Sequence, residues 1–111
     1  MKTTFVAVLM LFTSAAASAA CDSATTQAAL TACSAEQYAA QDKKLNTTYN
    51  AYRQRLDASQ KKQLTDAQLA WIKYRDLSCT FESASVAGGS AYSMVRNGCL
   101  AAKTADRIKE I

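Results

Sequence analysis

The side chains able to do chemistry in this chain are sulfur and carboxylate rather than imidazole. Four cysteines, Cys21, Cys33, Cys79 and Cys99, stand in 111 residues that contain no histidine. Without histidine, no side chain has an unperturbed pKa near neutrality, and no serine or cysteine has an evident base beside it. An even number of thiols is read first as two disulfides, with metal binding a poor second in the absence of imidazole. Asp42 and Asp76 could be imagined as the carboxylate pair of a glycosidase, which would need them about 5 to 10 Å apart across a cleft. An ion pair or a solvated helix face is the plainer reading for each. The expectation is a non-enzymatic protein with no metal and no cofactor.

The cations suggest a second kind of chemistry. Arg53, Arg55, Lys61 and Lys62 fall within ten residues, interrupted by Asp57, and could form an anion-binding tip for an acidic protein, a lipid headgroup or a cell-wall polymer. Solvated helix ends are the plainer alternative. The chain carries 13 Lys and Arg against 9 Asp and Glu; removing Lys2 with an N-terminal leader leaves 12 against 9, or +3. That balance is too weak to indicate nucleic acid.

Residues 1–20 read as a signal peptide, with Lys2 as the charged start, an apolar run from Phe5 to Phe12, and small residues from Ala17 to Ala20 at the cleavage site. The run is too short to span a bilayer, and no later stretch approaches the required length, so the mature chain is expected to be periplasmic or secreted. Cleavage after Ala19 fits the small-residue pattern, whereas cleavage after Ala20 would leave Cys21 at the amino terminus. Lipid anchoring through Cys21 is the alternative; Ser18 occupies the position where a lipobox usually has Leu.

Helices must position these groups. The chain has no proline, and its three glycines, Gly88, Gly89 and Gly98, lie late in the sequence. The expected fold is an all-α, disulfide-stapled bundle over residues 21–111, made of a short N-terminal helix and three longer antiparallel ones. The short helix spans Asp22 to Ala32, bracketed by Cys21 and Cys33. Ser34 and Gln37 form a capping-box pattern that starts the next helix. Along it, Tyr38, Leu45, Tyr49, Tyr52 and Leu56 make an apolar stripe. The central helix, Leu64 to Cys79, places Leu64, Ala67, Trp71, Tyr74, Ser78 and Phe81 on one face.

A hairpin pivoting near Ala58 sets Asp42 opposite Arg75, Asn46 opposite Trp71 and Tyr49 opposite Gln68. This predicts a partly buried, bidentate Asp42–Arg75 pair that acts in register and packing. A second hairpin pivoting on Gly89, with Ser90 or Ser93 capping the last helix, brings Cys79 to Cys99 and leaves Cys21 for Cys33. Three connectivities remain open to four cysteines, and the rival Cys33–Cys79 pairing fits the first hairpin less well. The Glu82–Ser93 segment, with Gly88, Gly89 and Ser90, is a tethered candidate contact surface.

These residues resemble the N-terminal domain of LprI-type lysozyme inhibitors over nearly the whole mature region. The resemblance rests on Cys21 and Cys33; on D-x-x-L-N-x-x-Y at Asp42, Leu45, Asn46 and Tyr49; and on L-x-x-A-Q-x-x-W-I-x-Y-R-D-x-x-C from Leu64 to Cys79. The G-G-S loop and C-L-x-x-x-T-x-x-R from Cys99 to Arg107 complete it. It implies an exported binding protein that inhibits lysozyme or another muramidase, with no inhibitory residue transferable. It also implies a basic target, so long-range attraction to this mildly basic chain would be absent or slightly repulsive. The alternative is an envelope-associated structural or anion-binding module that uses the basic tip.

Overall fold

The computed structural model describes residue 21 and residues 23–111, so the expected leader, its cleavage site and Asp22 lie outside the described residues. The described chain is all-α: α1 spans Gln27–Gln54, α2 Ala58–Glu82 and α3 Tyr92–Glu110, with a 3-10 turn at Ala84–Val86 between the last two. There is no strand among the described residues. None of the described helices is long and apolar enough to cross a membrane.

Helix α1 starts earlier than the Ser34–Gln37 pattern predicts. Its N-cap is Thr26, whose hydroxyl accepts from the Ala29 amide at 3.1 Å, and the helix passes through Ser34 without a break. Ser34 is buried, donates to the Thr31 carbonyl at 2.7 Å and accepts from Asn97 at 3.4 Å. Its hydroxyl is therefore spent on its own helix and on α3 instead of starting a new helix. The expected break into a short and a long helix gives way to one continuous rod from Gln27 onward.

Asp57 caps α2, accepting from the Gln60 amide at 2.8 Å while the Gln60 side chain accepts from the Asp57 amide. This reciprocal box fixes the first hairpin. Contacts from Gln27 to Met94 and from Ser34 to Asn97 show that α1 and α3 run side by side in the same direction. Helix α2 returns antiparallel to both. The most extensive packing is between α1 and α3, and the least is between α1 and α2. Helix α3 ends beside Gln68 and Trp71, so the hairpin beyond them projects as a two-helix arm, tied by Tyr49 to Thr65 at 2.9 Å and Arg53 to Thr65 at 3.3 Å.

The second hairpin turns where Gly88 takes a φ of 79°, a conformation that costs glycine little. Helix α3 begins after Ala91 with no side-chain cap, so neither Ser90 nor Ser93 plays the expected capping part. Cys79 and Cys99 are bonded with Cα atoms 5.6 Å apart, and Cys21 is bonded to Cys33 with Cα atoms 5.3 Å apart. The fully apolar interior is small: Cys33, Leu45, Cys79 and Leu100, joined by the buried polar residues Ser34, Gln68, Arg75, Ser83 and Thr104. A core this thin in a domain this size is where covalent staples matter most.

Helix α2 presents a different face inward from the apolar stripe read in the sequence. Gln68, Arg75 and Cys79 are buried, while Tyr74 and Phe81 are 62% and 81% exposed. The polar side chains meet partners on the other two helices that aromatic rings in their place would not satisfy.

Candidate functional site

The best-connected side chain is Arg75, 6% exposed at the level where all three helices meet. Its Nε and Nη2 both reach Asp76 Oδ1, at 3.0 and 2.9 Å. Nη1 donates to the Thr104 hydroxyl at 3.4 Å and lies 4.0 Å from Asp42. The guanidinium also lies 5.4 Å from the Tyr38 ring centre and 5.1 Å from that of Trp71. One cation thus engages α1, its own helix and α3. The close carboxylate is the neighbouring Asp76 rather than Asp42, because α3 packs against both other helices and holds α1 away from α2 at this level.

The same displacement separates the other residues set opposite one another by the first hairpin. Gln68 accepts from Arg107 Nε at 3.0 Å instead of meeting Tyr49, which bonds Thr65. Trp71 lies under Arg107 at 5.6 Å as well as under Arg75, and Asn46 donates to Asp42 at 3.5 Å along its own helix. Arg107 and its contact with Gln68 were absent from the sequence-based site; only the C-L-x-x-x-T-x-x-R pattern pointed toward them. Burial pushes the Tyr38 phenol above its ordinary value, and the Arg75 charge pulls it partly back.

The geometry limits the chemistry this region can support. The groove beside Arg75, lined by Asp42, Leu45, Asn46, Tyr49, Thr65 and Gln68 among others, holds about 180 Å³, below the roughly 300 to 1,000 Å³ usual for small-molecule sites. Asp42 and Asp76 both face one arginine, an arrangement suited to ion pairing. Glu82 lies close to Cys79 and Cys99 in a triangle of metal-like size, but both sulfurs are committed to the disulfide.

The two expected contact surfaces are separate from this hub. Gly88, Gly89 and Ser90 are exposed in the turn tethered by Cys79–Cys99. The cations of the first hairpin lie on the projecting arm and are partly engaged: Arg53 with Thr65, Arg55 over the Tyr52 ring at 5.6 Å, and Lys62 with Asp66 at 2.9 Å. The Asp66 hydrogen bond raises the Lys62 pKa. Lys61 is half-buried.

The sequence profile of a family described as "Lysozyme inhibitor LprI" matches residues 17–111, which include every residue of the hub, the turn and both disulfides. The chain belongs to the LprI family. An uncharacterised protein of Rhizobium meliloti (strain 1021) is 34% identical over 104 residues, an alignment covering 82% of this chain and 75% of that protein. No solved structure matches. In this LprI-family chain, Asp42, Leu45, Gln68, Trp71, Arg75, Asp76, Cys79, Cys99, Thr104 and Arg107 gather at or next to the three-helix junction. Other residues that carry the resemblance lie elsewhere: Tyr49 on the arm, Tyr74 exposed, and Gly88, Gly89 and Ser90 in the turn.

Proposed function

We propose that this chain is an exported, non-enzymatic binding protein that inhibits a lysozyme or related cell-wall muramidase. The observation that carries the reading is membership of a family described by lysozyme inhibition. The engagement of the candidate catalytic groups supports it: the four cysteines are paired, and Asp42 and Asp76 face Arg75. The contact surface in this reading is the exposed turn around Gly88, Gly89 and Ser90, held by the Cys79–Cys99 bridge and entering the substrate cleft. A tethered loop loses little freedom on binding, which favours affinity from a small contact.

The test is lysis of a cell-wall suspension by lysozyme in the presence of the purified, oxidised protein. Dose-dependent slowing is expected, and it should weaken when Gly88 and Ser90 are replaced by bulky residues. Unchanged lysis at large excess would remove the inhibitor reading.

A second reading is favoured by the clustering of Arg53, Arg55, Lys61 and Lys62 on the projecting arm: an envelope module that binds an anionic polymer or lipid. Neutralising the four should abolish retention on anionic vesicles or cell wall, and unchanged retention would exclude it.

A further inference from the structure

Helix α2 carries an apolar ridge on its outer side that neither reading above uses. Leu69, Tyr74, Leu77 and Phe81 are 61, 62, 61 and 81% exposed. Tyr74, Leu77 and Phe81, together with the exposed Ala70, follow one another at steps of 4, 3 and 4, which aligns them on one helix face. Leu69 turns instead toward the groove beside Arg75; taking about 200 Å² for each large side chain, Tyr74, Leu77 and Phe81 present roughly 400 Å² of apolar surface. That is the size of the largest apolar patch on a typical monomer, a patch that is often functional.

We propose that this ridge is covered by the same ridge of a second copy, as an antiparallel, two-fold symmetric helix pair. Three observations favour a copy of the chain over another partner. First, the pattern is self-complementary. A two-fold axis passing between Arg75 and Asp76 sets Tyr74 against the partner's Leu77 and Ala70 against the partner's Phe81, a small residue facing a large one. An isologous contact requires this reciprocity.

Second, the area is of the right order. Two such ridges face to face remove roughly 800 Å² from their large apolar side chains, and Ala70, Lys73 and Ser78 with the flanking polar atoms bring the contact toward the roughly 1,000 Å² of a specific interface.

Third, the cations beside the ridge are paired within the chain: Lys103, 6.0 Å from the Tyr74 ring centre, meets Glu82 at 3.2 Å, and Arg107 meets Glu110, which lies near Tyr74, at 3.1 Å. Two positively charged chains can then approach on this side with little repulsion. Lys73, which makes no ion pair among the described residues, falls opposite the partner's Ser78, one turn from the partner's Glu82.

The proposal is tested by sedimentation velocity of the exported, oxidised protein over a dilution series, alongside Leu77→Lys and Phe81→Glu. Both positions are exposed, so the monomer should keep its helical circular dichroism and both disulfides. The expected result is a reversible dimer whose dissociation constant rises at least tenfold in either variant. In a mixture of isotope-labelled and unlabelled protein, intermolecular NOEs should connect the Tyr74 ring to the Leu77 methyls. A monomer throughout the millimolar range, or a dimer untouched by both substitutions, overturns the proposal. So does a monomeric wild type whose ridge variants lose lysozyme inhibition or vesicle binding instead, because another partner would then occupy the face.

Discussion

Replacing Arg75 by Ala removes a side chain that joins all three helices, and the cost follows from what each contact leaves behind. Thr104 is 0% exposed and loses its donor; an unmet buried hydroxyl costs about 1 to 3 kcal/mol, with the lower end apt because a helical threonine can turn to its own backbone. The two ring contacts, at 5.1 and 5.4 Å, contribute about 0.5 to 1 kcal/mol each. Asp42 and Asp76 have side chains 44% exposed, so water takes over much of their pairing and the lost ion pairs are worth about 1 kcal/mol. The expected loss is about 3 kcal/mol, below the 3 to 5 of a fully buried broken pair. In a domain of this size that lowers Tm by roughly 12 to 24 °C. Urea unfolding of the oxidised protein, followed by Trp71 fluorescence, measures it directly, and the folded-state emission should also shift. Arg75→Met, which keeps the volume, should recover part of the loss. A change below about 1 kcal/mol with unaltered Trp71 emission would refute the view that Arg75 holds the three helices together.

Other outcomes follow from the same structure. Reducing the Cys79–Cys99 bridge, which spans a separation of 20 residues, should cost about 3 kcal/mol by loop entropy, measured as the difference between oxidised protein and a Cys79→Ala/Cys99→Ala variant. Leu45→Ala empties the largest fully buried side-chain site, with Leu45 only 2% exposed, and should cost about 2 to 5 kcal/mol in the same melts. Tyr38 should titrate above the ordinary 10.0, as read from the tyrosinate absorbance lost in Tyr38→Phe. Because folding favours the protonated phenol, its contribution to stability is intact below pH 10 and is lost as pH rises from there through the raised folded value. Gly88→Ala puts a side chain at a φ of 79° and should cost about 1 kcal/mol, seen as a lower urea midpoint with an unchanged slope.

The second hairpin was legible in the sequence because its markers are local and symmetric. The glycines locate the pivot, and Cys79 and Cys99 stand equally far on either side; Trp71 with Arg107, and Arg75 with Thr104, repeat nearly the same spacing along the arms. The first hairpin was legible only in part. Asp57 signalled the cap, but pairing α1 directly with α2 ignored the third helix, which draws Gln68 and Trp71 toward Arg107. Ser34 misled for a related reason. Its spacing to Gln37 is compatible with an N-cap, and only burial against Asn97 reveals that the hydroxyl serves a continuous helix. The face of α2 was the hardest to read. Hydrophobic periodicity favours turning Tyr74 and Phe81 inward, yet three-helix satisfaction of one arginine turns them out, and sequence spacing carries no record of those distant partners.

The inhibitor reading is tested most directly by lysozyme hydrolysis of a soluble chito-oligosaccharide, titrated with the oxidised protein, because no cell-wall polymer is present for the basic arm to coat. Saturable inhibition at a fixed stoichiometry is the predicted result. Full lysozyme activity on the soluble substrate, whatever happens on whole cell walls, would contradict it.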